Sequence, residues 1–124
     1  MNILILENDL KTLSLIFKVL NETKIDFIPV VLSTFEQVEK LINPSDLNFD
    51  LILLDRNCSL GGTFHVLDIA KFGPEKVIGI SSVSNYNEDL IKRGVKTIIT
   101  KNYEDLDKFA SDLSNSISDF VNKH

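Results

Sequence analysis

Cysteine occurs once in the 124 residues, as Cys58, so no internal disulfide can form and nothing argues for an oxidising compartment. Positive charge is in the minority. Thirteen Lys and Arg stand against eighteen Asp and Glu, the net charge is −5, and no basic cluster interrupts that balance. Nonspecific binding to nucleic acid or to an anionic membrane is therefore disfavoured. No apolar run approaches the ~20 residues that a membrane helix needs. The N-terminus lacks the basic region and apolar segment of a signal peptide. The expectation is a cytoplasmic protein. There is no GxxxxGK[ST] phosphate loop, and Gly61-Gly62 reads as a backbone turn. Repeats, low-complexity segments and linkers are absent too, which leaves one domain over residues 1–124 with no output domain.

Proline is scarce, and its three occurrences punctuate the pattern. Pro29 lies in Phe27–Leu32 (FIPVVL), a strand candidate; without an N–H it belongs at a sheet edge. Pro44 closes a helix that Ser33, Thr34, Glu36 and Gln37 open at capping-box spacing, with Phe35, Val38, Leu41 and Ile42 inward. Pro74, after Gly73, stops a short helix carrying Phe64, Val66, Leu67 and Ile69.

What is present is a set of short apolar runs. Ile3–Leu6 (ILIL), the LILL within Phe49–Asp55 (FDLILLD) and Val77–Ser81 (VIGIS) suit strands buried on both faces, and Thr97–Thr100 (TIIT) suits a fifth. Between them run helical patterns. Leu13, Ile16, Phe17 and Leu20 line one helix, with Asn8 or Asp9 as its cap. Asn87–Arg93 is a short polar helix closed by Gly94. A long final helix runs from about Tyr103 to Val121, with Asn102 as its cap. Five strands alternating with five helices predict an α/β fold: a parallel sheet with helices on both faces and right-handed crossovers.

In such a sheet every strand's carboxyl end lies on one edge, where ligands bind. This chain puts Glu7, Asn8 and Asp9 there after the first strand, Asp55 after the third, Ser81 after the fourth and Lys101 after the fifth. Crowded carboxylates are relieved by a divalent cation or an ammonium, and oxygen donors of this kind suit Mg²⁺. A carboxylate so placed can attack phosphorus, while Lys101 neutralises charge on the transferred group. Cys58, His65 and His124 carry no ligand signal of their own. Aspartyl-nucleophile phosphatases place a DxD motif after the first strand, and Glu7-Asn8-Asp9 does not supply it.

The four segments ILILEND, LILLD, VIGIS and TIITK, in that order and over essentially the whole chain, resemble the receiver (response-regulator) domain of bacterial two-component signalling. The resemblance implies a flavodoxin-like doubly wound sheet of order 2-1-3-4-5. It implies that Asp55 accepts a phosphoryl group from a partner's phosphohistidine with Mg²⁺. Glu7, Asn8, Asp55 and the backbone carbonyl of Asn57 would hold the metal, and Ser81 and Lys101 would contact the phosphoryl group. The implied partners are a histidine kinase or phosphotransfer protein, then a downstream protein docking on the Asn87–Arg93 helix, the fifth strand and the last helix. A second copy of the chain is also kept among them.

Four positions depart from the family pattern: Asn8 replaces an acid, Ile98 the aromatic switch residue, Asn102 a proline after the lysine, and Ser59 a proline after the aspartate. Asn8 brings no charge, so weaker Mg²⁺ binding is expected, with Asp9 as a neighbouring source of charge. The departures also motivate an alternative, a pseudo-receiver that binds partners without phosphorylation. Ile98, if exposed, would be a partner contact.

Overall fold

The strands form where the apolar runs predict them. In a computed structural model that describes residues 1–82 and 87–123, β1 is Asn2–Leu6, β2 Ile28–Leu32, β3 Leu51–Asp55, β4 Val77–Ser81 and β5 Thr97–Thr100. All pair in parallel, in the order β2-β1-β3-β4-β5. Pro29 sits on β2, at the edge, as its missing donor requires. Five α-helices lie among the described residues: α1 (Leu10–Glu22), α2 (Phe35–Gln37), α3 (Ile69–Phe72), α4 (Asn87–Lys92) and α5 (Leu106–Lys123).

The strand alternation divides the core between two faces. Ile3, Ile5, Leu51, Leu53, Ile78 and Ile80 pack with Ile16 and Leu20 of α1 and with Phe109, Leu113 and Ile117 of α5. Leu4, Leu6, Ile52 and Leu54 face the other way, onto Val38, Phe64, Ile69, Phe72 and Leu90. Successive strand residues point to opposite faces, so a sheet covered on both sides needs unbroken apolar strands. No helix among the described residues is long and apolar enough to cross a membrane.

The helices depart from the sequence reading in specific ways. Phe17 of α1 is 40% exposed, and the buried stripe is Thr12, Ile16, Val19 and Leu20. Thr12 can be buried because its hydroxyl is satisfied by Asp9 Oδ2 at 2.6 Å. Asp9 is thus the cap of α1, and Asn8 is not. The second helix keeps its capping box, Thr34 with Gln37, but widens into a π-helical turn at Val38–Ile42. That extra residue per turn swings Leu41 outward, to 58% exposure, while Val38 and Ile42 stay buried. The third helix splits into a 3-10 turn at Phe64–Val66 and α3, which Asp68 caps. The last helix starts at Leu106. Asp105 Oδ1 accepts from Lys108 N at 3.1 Å, whereas Asn102 Oδ1 accepts from Glu104 N and shapes the preceding turn. His124 lies outside the described residues.

Candidate functional site

Four of the five strands, all but β2, deliver a polar side chain into a buried position at their carboxyl end. Glu7 follows β1, Asp55 ends β3, Ser81 ends β4 and Lys101 follows β5; none is more than 5% exposed. The sheet register brings these ends together. Asp55 pairs with Ile80 and Ser81 with Thr100, and Lys101 N donates to Ser81 O at 2.8 Å.

Lys101 is the hub. Its Nζ donates to Asp55 Oδ2 at 3.0 Å and to Glu7 Oε2 at 3.2 Å. The other oxygens are held by backbone. Asp55 Oδ1 accepts from Arg56 N at 2.7 Å, and Glu7 Oε1 accepts from Asn8 N and Asp9 N at 3.1 and 3.0 Å. Buried charge is costly unless paired and hydrogen-bonded, and this arrangement meets both conditions with one ammonium for two carboxyl groups. The shortfall falls on Glu7. Burial, then the hydrogen bond to Asp55 and the Asp55 charge, push its carboxyl up to about 8, against the pull of the Asp9 N–H and of Lys101. At neutral pH Glu7 therefore holds a proton against Asp55. For Lys101, burial opposes the charge, but Asp55 and Glu7 outweigh it and hold the ammonium above its ordinary range.

The side chains of Asn8 and Asp9 make their hydrogen bonds outside the triad of Glu7, Asp55 and Lys101. Asn8 Nδ2 donates to Ser59 Oγ at 3.2 Å. Asp9 Oδ2 is committed to Thr12 N and Oγ1, and the Thr12 hydroxyl bond above all holds its carboxyl below its ordinary value, against the opposing effect of burial. Asp9 thus serves the helix, while its charge is also stabilised by Lys101. Asn57 is exposed. It forms one antiparallel bridge with Thr63, its Oδ1 accepts from Arg56 Nη1, and it makes no hydrogen bond to the cluster. Among the described residues no three His, Cys, Asp or Glu side chains are grouped as a metal centre. The donor set that remains is oxygen only: two adjacent carboxyl groups and Asn8 Oδ1, which takes no hydrogen bond among the described residues. It fits a hard cation such as Mg²⁺ in chemistry.

Three neighbours of the site follow from no strand end or helical period. Tyr103 lies with its ring centroid 5.3 Å from Lys101 Nζ. Ser59 meets Asn8 across 51 positions. Arg93 ties α4 to the turn beyond β3: its Nη1 donates to His65 O at 2.7 Å, its Nη2 donates to Leu67 O, and it pairs with Asp89. These contacts join loops and leave no periodic trace. Ile98 is half-buried against the core face that carries Leu90. A Cβ at Gly79 would stand 2.7 Å from Leu90 Cδ1 and 3.3 Å from Ile98 Cγ1, which places both side chains directly over β4.

No protein-family model matches the sequence, and no curated protein matches it at a significant level. Solved structures do. The phosphorylated cyanobacterial phytochrome response regulator RcpA superposes with a TM-score of 0.77 at 19% identity, over 99% of this chain and 95% of that one. The Thermotoga maritima response regulator TrrA, in complex with Mg²⁺ and beryllium fluoride, gives 0.68 at 18% identity, over 96% and 97%. The CheX–CheY complex of Borrelia burgdorferi, with beryllium fluoride and Mg²⁺, gives 0.65 at 24% identity, over 94% and 89%. The chain has the fold of response-regulator receiver domains.

Proposed function

We propose that this chain is a phosphoacceptor receiver domain, with Asp55 taking a phosphoryl group from a phosphohistidine of a histidine kinase or phosphotransfer protein. The observation that carries the reading is the buried contact of one ammonium, Lys101 Nζ, with both Asp55 Oδ2 and Glu7 Oε2 at the carboxyl edge of the sheet. Asp55 is the nucleophile. Lys101 neutralises oxygen charge as the P–N bond breaks and the Asp55 O–P bond forms. Ser81, at the end of the neighbouring strand, donates to a phosphoryl oxygen. Mg²⁺ would be held by Glu7, Asp55, the Asn8 carboxamide oxygen and the Asn57 carbonyl, and would supply further charge neutralisation there. The modified state is passed to a protein partner through α4, β5 and α5. The role is signalling, without turnover of an external substrate.

The second reading, a pseudo-receiver, is favoured by the same triad: Lys101 and the Glu7 proton already satisfy Asp55 without metal or phosphate. One experiment separates the two. The protein is treated with beryllium fluoride and Mg²⁺ and followed by backbone NMR, in parallel with acetyl phosphate labelling read by intact-mass spectrometry. The phosphoacceptor reading expects an adduct in wild type and none in Asp55→Asn. Absence of both signals in wild type at saturating reagent leaves the pseudo-receiver. Turnover of generic phosphate esters would overturn both.

A further inference from the structure

The loop after β1 and the loop after β3 meet through one side-chain bond, Asn8 Nδ2 to Ser59 Oγ. Both ends of that bond are anchored through the backbone. Asn8 N donates to Glu7 Oε1, and Ser59 N donates to Ser33 O at 2.9 Å. A carboxamide has one acceptor end and one donor end. Here the donor end is used, and Oδ1 takes no hydrogen bond among the described residues.

We infer that Ser59 is a positioning residue for a hard divalent cation at the Glu7–Asp55 edge: its hydroxyl holds the Asn8 N–H, so that the carboxamide offers its oxygen to the cation. The inference rests on the reading of that edge as a Mg²⁺ site. The physical need is particular to an amide. Turned the other way, it would present N–H to a cation, which is repulsive. A carboxylate has two equivalent oxygens and needs no such orientation. Ser59 therefore matters only while residue 8 is an amide. Partners that orient a ligand in this way are typically worth about 10- to 100-fold in metal affinity.

The test is a double-mutant cycle on the full chain: wild type, Ser59→Ala, Asn8→Asp and the double variant, with Mg²⁺ affinity measured by calorimetry at constant ionic strength. Ser59→Ala keeps the backbone bond to Ser33, and thermal melts verify folding of all four. The expected result is a loss of about tenfold in Mg²⁺ affinity for Ser59→Ala, tighter binding for Asn8→Asp, and less than about twofold further change when Ser59→Ala is added to Asn8→Asp. A metal-free readout accompanies it: the Asn8 side-chain NH₂ resonances shift in Ser59→Ala. Equal losses in both backgrounds, or no loss in either, overturn the positioning role and leave the cation site standing. Mg²⁺ binding by Asn8→Asp but not by wild type shows that the Asn8 oxygen is not offered, and overturns it too. No binding by either wild type or Asn8→Asp sinks the cation-site reading itself.

Discussion

Glu7→Gln, studied without metal, is the sharpest probe of the buried cluster. Glu7 carries its proton to about pH 8 in the folded chain, against an ordinary value of 4.5. A group whose folded value is raised contributes stability that is fully present below pH 4.5 and is lost as the pH rises through about 8, because only the unfolded chain releases the proton in between. One proton is worth at most about 1.4 kcal/mol per pH unit, so the wild type forfeits up to about 5 kcal/mol across that window. That is a large part of the ~5–15 kcal/mol available to a domain. Gln has no proton to lose. At pH 5 it gives up only the bond from the Glu7 carboxyl to Asp55, about 0.5–1.5 kcal/mol.

Urea unfolding by far-UV circular dichroism, from pH 5 to 9 with a chelator present, gives the difference between the two proteins. His65 also titrates in this range, its value lowered mainly by burial against the pull of Asp89. It destabilises both proteins alike as the pH falls below its ordinary value, and cancels. The variant should be equal or slightly weaker at pH 5 and stronger by several kcal/mol at pH 9. A difference that does not change with pH would mean that Glu7 is ionised in the fold, and the triad as described would be wrong.

Three further outcomes follow from the contacts outside the triad. Asp9→Ala removes the α1 cap and strands the Thr12 hydroxyl; a loss of about 1–2 kcal/mol is expected in thermal melts at pH 7. Because the Asp9 value is lowered, that loss should disappear as the pH falls through the carboxylate range. Gly62→Ala forces a Cβ to 2.4 Å from Phe35 Cδ1 at φ +78°, whereas Gly61→Ala, at φ +86°, meets nothing within 4 Å. Urea midpoints should place Gly61→Ala at about 1 kcal/mol of backbone strain and Gly62→Ala well beyond it; equal losses would refute the packing. Arg93→Ala frees α4 from the His65 and Leu67 carbonyls, so amide exchange within Asn87–Lys92 should quicken while that of β3 is unchanged.

The sheet was legible because burial on both faces leaves a strong trace. ILIL, LILL and VIGIS admit little but apolar residues, and the polar residue that ends each run marks the carboxyl edge. Glu7, Asp55, Ser81 and Lys101 could therefore be assembled from strand ends alone. Helix faces were less legible. Phe17 fits the apolar period but lies outside the buried stripe, which includes a threonine whose burial depends on Asp9. Leu41 fits the period as well, and a π-helical turn displaces it. Periodicity assumes a regular helix and counts no polar residue as core. Asn57 is a different case: its place in the metal set came from resemblance and not from a strand end, and the loop that carries it bridges to Thr63.

The triad and the packing over β4 are joined through β5. Lys101 joins the end of β5 to Asp55, so any group that adds negative charge at Asp55 also changes the forces on β5. One residue of β5, Ile98, lies with Leu90 of α4 over Gly79 of β4, where no side chain intervenes. Leu90 is fully buried, and α4 is held at its far end by Arg93 to the turn beyond β3. Movement of β5 thus meets α4 through an aliphatic contact, and α4 meets the Asp55 loop through a guanidinium. Packed aliphatic contacts do not deform continuously, so the Arg93 attachment is the element whose release would let α4 shift as a unit.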